Sequence, residues 1–263
     1  MELADRQNHG FPPATGRTGT DGMTRFLASV SSVAEAASIL AVAPDIIDIK
    51  DPRKGALGAV ETDIAVQIVQ KTAGTAMTSA TIGDLPMQAG YISPAIGSMR
   101  ATGVDIVKVG IFGRTIPADI LSILKEHAEN GTRIVLVFFA DLDPELDDFS
   151  VLAQTGVYGV MLDTADKTSG SLRTIMNDNR LARFVRLGKA SGLVTGLAGS
   201  LKLTDIQPLL KLNPDYLGFR SALCDRQQRK STIDMQAAHN VRAMIPLHDI
   251  AEPGKQDLML SVN

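Results

Sequence analysis

One pattern recurs eight times along this chain: a short run rich in Val and Ile, then a segment of helical hydrophobic period. The apolar runs fall at 26–30, 46–50, 78–84, 106–110, 133–140, 159–164, 193–200 and 216–220. Helical periodicity follows them, at 32–42, 62–72, 117–130, 144–154, 205–212 and 234–245 among others. Strands alternating with helices of this length form parallel βαβ units. Their right-handed crossovers close on themselves when there are eight, so the expected fold is a single-domain α/β TIM (β/α)8 barrel over 23–246. Ser93-Pro94 and Pro117 are read as helix starts, Gly103 and Gly131 as helix ends before the next strand. The alternative is an open, doubly wound sheet. It would need a Gly-rich phosphate turn after the first strand, and neither GxGxxG nor GxxxxGKS/T stands there.

Composition narrows the function. The 263 residues carry 26 basic and 29 acidic side chains, a net charge of -3, which leaves no footprint for nucleic acid. No apolar run reaches the ~18 residues that suggest a membrane span. The one cysteine, Cys224, excludes an internal disulfide framework and any Cys-cluster metal site, and is read as a small buried hydrophobe. His9, His127, His239 and His248 are scattered over helices and tails with no metal-ligand spacing and no evident general base. The expectation is a soluble cytoplasmic protein without metal or organic cofactor. Residues 1–22 are polar, rich in Gly, Pro and Thr, and lack a signal-peptide core, so they are read as a disordered extension, with Met23 serving equally well as a start site. Residues 247–263 are read as a C-terminal tail. Its apolar positions 258–260, with Phe112 taken as an exposed apolar helix position, leave room for a homo-oligomer.

Barrel enzymes act at the C-terminal ends of their strands. Side chains alternate with period two, so in 45–50 Ile47 and Ile49 face the helices and place Asp48 and Lys50 in the mouth. By the same count Lys108 points inward from 106–110 and Asp163 from 159–164, with Lys167 a few residues beyond. Lysines buried beside one another lose their protons more readily, whereas nearby carboxylates hold them protonated. Amines pushed apart in this way can serve as nucleophile and acid in Schiff-base chemistry on a carbonyl substrate. Structural ion pairs plugging the barrel are the competing account, but apolar layers fill a barrel at lower cost. Gly199, Ser200, Arg220 and Ser221, at the ends of the last two strands, form the expected phosphate site. Ser79, Thr81, Asp84 and Asp141 are further candidates for the pocket wall, and Arg53 or Lys54 for a second phosphate site. Arg226, Arg229 and Lys230 are read as a solvated basic face.

Six segments in order resemble one known family, the (5-formylfuran-3-yl)methyl phosphate synthases. They are IIDIKDPRKGALGA (46–59), SATIGDLP (79–86), DIVKVGIFG (105–113), VMLDTADK (160–167), LAGSLK (197–202) and YLGFRSALC (216–224). The first and fourth together are specific; the others are ordinary alone. The resemblance implies a TIM-barrel lyase that condenses two molecules of glyceraldehyde 3-phosphate into a furan phosphate, a precursor of a methanofuran-type one-carbon carrier. It carries active-site roles onto Asp48, Lys50, Lys108, Asp163 and Lys167. It departs at Ser221, where a glycine is expected, and in the short loop after the fifth strand (FFADLDPEL). A generic class I aldolase, a phosphosugar isomerase and a non-enzymatic binding barrel remain the alternatives.

Overall fold

The computed structural model describes residues 23–246. The readings placed on 1–22 and 247–263 lie outside the described residues. Eight parallel strands close in sequence order, β1 to β8, with β8 pairing back on β1. They are β1 (Arg25–Val30), β2 (Ile46–Ile49), β3 (Met77–Thr81), β4 (Ile106–Ile111), β5 (Ile134–Phe139), β6 (Gly159–Asp163), β7 (Val194–Leu197) and β8 (Tyr216–Phe219). The alternative of an open sheet is thereby excluded. Around them run α1 (Val33–Ile39), α2 (Thr62–Thr72), α3 (Ala89–Ala101), α4 (Ala118–Glu129), α5 (Ser150–Gln154), α6 (Leu172–Ile175), α7 (Asp178–Ala190), α8 (Leu203–Leu210) and α9 (Met235–Met244).

The period-two pattern of the strands sorts their side chains into two cores. Outward residues such as Phe26, Ile47, Ile49, Val107, Val109 and Leu162 pack against the helices. Inward residues such as Leu27, Ile46, Met77, Ile106, Val135 and Tyr216 fill the barrel. Gly196 of β7 is where the filling is tightest: a Cβ there would lie 2.2 Å from the Tyr216 ring, so only glycine lets that phenol cross the barrel.

Three sequence expectations change. Pro94 lies inside α3, which begins at Ala89, so Ser93-Pro94 does not start a helix; the proline falls early enough that a single intrahelical bond is lost. The segment 144–154 is helical only from Ser150. Asp148 accepts from the Ser150 amide and hydroxyl (2.8 and 2.6 Å) and so starts the helix there. Upstream, Asp143 and Asp147 are drawn into ion pairs with Arg114, Arg180 and Arg183. Phe112 is not an exposed helix position. It is half-buried just beyond β4 and stacks on Phe139 with ring centroids 4.5 Å apart. Gly103 and Gly131 follow helix ends with φ of 85° and 83°, as their sequence positions suggest.

Candidate active site

The C-terminal end of the barrel collects charge from the even-numbered strands. Asp48 and Lys50 come from β2 and the residue just past it, Lys108 from β4, Asp163 from β6, and Arg220 from just past β8. The odd strands contribute Ser29 from β1 and Ser79 from β3, whose hydroxyls donate to the two oxygens of Asp48 (2.9 and 2.7 Å). Asp48 thus has a serine on either side in the sheet, as the register Ser29↔Asp48↔Ser79 requires.

Lys108 is deepest, 1% exposed, with Nζ 2.5 Å from Asp48 Oδ1 in an ion pair whose angle falls outside hydrogen-bond geometry. Tyr158 and Tyr216 close the floor beneath it. On the other side, Lys167 Nζ lies 2.5 Å from Asp163 Oδ1 and also donates to the Thr164 carbonyl. Lys50 stands between the two pairs. Its Nζ is 3.8 Å from Asp48 Oδ2 and 3.8 Å from Asp163 Oδ2, too long for a hydrogen bond to either. Two lysines are therefore committed to carboxylates, and one amine is held between carboxylates without being bonded to them.

The electrostatics follow this division. Burial alone would raise both carboxyls. At Asp48 the Lys108 and Lys50 ammonium groups outweigh burial and hold it below the usual range. At Asp163 Lys167 and Lys50 do the same, bringing it to about 2. Burial pushes the Lys108 amine down further than Asp48 lifts it, and Lys50 adds to the depression. Lys167 is lowered for the same reasons, with Asp163 opposing. The Tyr216 phenol is raised by burial and by the nearby carboxylates, so it stays neutral.

The four residues expected at a phosphate site differ in how they are held. Gly199, Ser200 and Ser221 line the same cleft as Lys50, Asp163 and Lys167. Gly199 has φ 108°, and a Cβ there would press within 2.8 Å of Thr164, so glycine is required for the β7 turn to lie against the end of β6. Among the described residues, the backbone N–H groups of Gly199, Ser200 and Ser221 have no acceptor. Arg220 is different. Its guanidinium is paired bidentately with Glu35 (2.7 and 2.9 Å) and donates to the carbonyls of Ser29, Arg229 and Ser231. Arg220 lines the cleft as well, but all five of its N–H donors are in use, so it clamps the loop and has no free donor.

The remaining candidates sort by what they touch. Ser79 supports Asp48, whereas Thr81 donates to the Gly58 carbonyl (3.2 Å). Asp84 accepts from the amides of Ala56 and Leu57 and fixes the loop after β2. Asp141 accepts from the amides of Ala165 and Asp166, tying the loop that carries Lys167 to the end of β5. Arg53 is paired with Asp51 and Lys54 with Glu61, both exposed and outside the cleft lining. Cys224 is buried, and burial raises its thiol. His127 and His239 lie on α4 and α9. Sequence reasoning missed Ser29, Glu35 and, above all, Arg229, which lines the cleft instead of lying on a solvated face. A wider apolar groove between α2, α3 and α4 lies at the opposite end of the barrel. Among the described residues no cluster of His, Cys, Asp and Glu is arranged to hold a metal ion, and no helix is long and apolar enough to cross a membrane.

Known proteins similar to this chain fall in one family. The family model described as 4-HFC-P synthase matches residues 26–242. A protein of Methylorubrum extorquens, provisionally named (5-formylfuran-3-yl)methyl phosphate synthase, is 40% identical over 84% of this chain and 91% of its own. The Archaeoglobus fulgidus protein of that name is 32% identical over 76% of this chain and 91% of its own. Among solved structures, phosphoribosyl anthranilate isomerase from Thermus thermophilus superposes with a TM-score of 0.60 at 13% identity, covering 84% of this chain and 98% of that one. The 3-keto-L-gulonate-6-phosphate decarboxylase of Vibrio cholerae gives 0.59 at 13% identity, covering 84% and 97%. These last likenesses concern the fold.

Proposed function

Because the chain belongs to the 4-HFC-P synthase family, we propose that it is a lyase. In this reading it condenses two molecules of glyceraldehyde 3-phosphate into (5-formylfuran-3-yl)methyl phosphate, with loss of one phosphate and of water. The observation that carries the reading is the position of Lys50, an amine 3.8 Å from each of two carboxylates and bonded to neither.

Lys50 adds to the carbonyl of one triose phosphate in its keto form, and water leaves as the iminium forms. Asp48 and Asp163 flank the nitrogen, so either can take the proton that the amine gives up and can stabilise the cation. The second triose phosphate gives up its C2 proton to a carboxylate or to Lys167 in its neutral form and expels phosphate from C3, leaving an enol. Lys167 is suited to this exchange because burial lowers its amine. The enol so formed attacks the iminium carbon through its terminal carbon and forms the new C–C bond, which gives the branched skeleton of the product. Lys108, deep beside Asp48, keeps that carboxylate ionised next to the reacting nitrogen. Ring closure, expulsion of the lysine amine and loss of water give the furan, whose aromaticity draws the last steps forward. The product feeds a methanofuran-type one-carbon carrier, and the enzyme works in the cytoplasm on small phosphorylated substrates.

Incubation of the full chain with glyceraldehyde 3-phosphate, followed by mass detection, tests this reading. A product with the mass and ultraviolet absorbance of the furan phosphate is expected. A retro-aldol or isomerised product without furan absorbance would replace the reading with an ordinary aldolase or isomerase.

A further inference from the structure

We propose that Arg229 is the side chain that grips the phosphate of the substrate in this cleft, and that Arg220 acts indirectly, by fixing the loop that presents it. The proposal rests on the reading above that the substrate is phosphorylated.

The loop after β8 carries three cations, Arg226, Arg229 and Lys230. Arg226 and Lys230 are exposed, while Arg229 is half-buried and lines the cleft with Lys50, Lys167 and Gly199. Backbone geometry explains the difference. Arg226 and Gln227 both take left-handed conformations (φ 49° and 58°), which turn the chain back on itself. Such conformations are costly for non-glycine residues and persist only where the surroundings hold them. Here the holder is Arg220, whose Nε donates to the Arg229 carbonyl (2.8 Å) and Nη2 to the Ser231 carbonyl (3.0 Å). Glu35 neutralises Arg220 and locks its orientation.

The Arg229 side chain then reaches across to the loop after β2, where Nη2 donates to the Gly55 carbonyl (3.0 Å). Its other donors have no acceptor among the described residues. A guanidinium with free, forked donors beside an open cleft matches the geometry of a phosphate. The unaccepted N–H groups of Gly199, Ser200 and Ser221 line the same space. Charge agrees: basic side chains, Lys50, Lys167 and Arg229, line the cleft around Asp163, a setting that favours an anion.

Calorimetric titration of the full chain with inorganic phosphate tests the assignment without requiring turnover. Wild-type protein is expected to bind phosphate. Arg229→Met should weaken binding by at least about tenfold, as loss of charge-assisted hydrogen bonds predicts. Arg229→Lys, which keeps the charge but not the fork, should fall between, and Arg226→Met should match wild type. Thermal melts of each variant establish that it is folded. Unchanged phosphate affinity in Arg229→Met, or no phosphate binding by the wild-type chain, overturns the proposal. Phosphate binding that depends on Arg229 in a protein that makes no furan would overturn the reading of the reaction alone.

Discussion

Aspartates stand at both ends of the barrel; those of the floor are fixed chiefly by backbone amides, with Arg242 on Asp45 (3.0 Å) and Lys189 3.9 Å from Asp215, and those of the mouth chiefly by lysines. At the floor, Asp45, Asp105 and Asp215 each precede an even strand and accept from a backbone amide of the odd strand before it. Asp45 takes the Phe26 amide (2.7 Å), Asp105 the Thr78 amide and hydroxyl (2.7 and 2.8 Å), and Asp215 those of Thr195 (2.8 and 2.9 Å). At the mouth, Asp48 and Asp163 face lysines. An amide keeps its proton, so a bond of this kind holds structure; Asp163 accepts one too, from Thr164 (2.7 Å), beside its lysines. A lysine has a proton to give, so a carboxylate beside it can also take part in chemistry. At β2 the two kinds share one strand, Asp45 at the floor and Asp48 at the mouth, so in the proposed reading one residue type serves stability at one end and reactivity at the other.

Substitutions at the two ends should separate the two roles. The largest effect is expected from Lys50→Met, which removes the uncommitted amine but leaves Asp48 paired with Lys108 and Asp163 with Lys167. Furan formation should fall by at least about 10³-fold with the melting temperature nearly unchanged, measured by product mass and by calorimetry. Asp215→Ala should do the reverse. It strands the buried Thr195 amide and hydroxyl, so denaturant unfolding should register a loss of about 2–3 kcal/mol, with KM unaffected. A large KM change there would break the comparison.

The pH dependence of stability sharpens it further. Asp163 is held at about 2 in the folded protein against an ordinary 3.8. A carboxyl depressed on folding stabilises the native state above its unfolded value and loses that contribution as pH falls through its folded one. The window here runs downward from about pH 4 to about pH 2 and spans on the order of 2 kcal/mol. Asp163→Asn should therefore flatten the acid limb of a stability-against-pH curve. An identical limb in the variant would mean that the lysines do not hold Asp163 ionised. The smallest effect is expected from Arg53→Ala at the rim. Arg53 is exposed and its ion pair among the described residues is with Asp51, so stability and KM should both stay within measurement error.

Much of the mouth was legible in the residues themselves. Alternation along IIDIK and IVKVG places Asp48, Lys50 and Lys108 indoors because a strand has only two faces and the apolar set claims one. The eight repeats gave the closure. The floor aspartates left a visible signal, PDI at 44–46, VDI at 104–106 and PDY at 214–216. It reads as three ordinary strand starts until the neighbouring strand's free amide is in view. Arg220 and Arg229 were the hardest to assign. Both are arginines near the end of β8, and nothing local tells a clamp from a grip. The answer lies in Glu35, 185 positions away in sequence, and in two left-handed residues without glycine. Loops fold to their long-range partners, and sequence periodicity does not report those.

The most direct test of the account is borohydride reduction of the protein in the presence of glyceraldehyde 3-phosphate, followed by peptide mapping. The account predicts one reduced triose adduct, on Lys50, absent from Lys50→Met. An adduct on Lys108 or Lys167, or product formation with no adduct on any lysine, would contradict it.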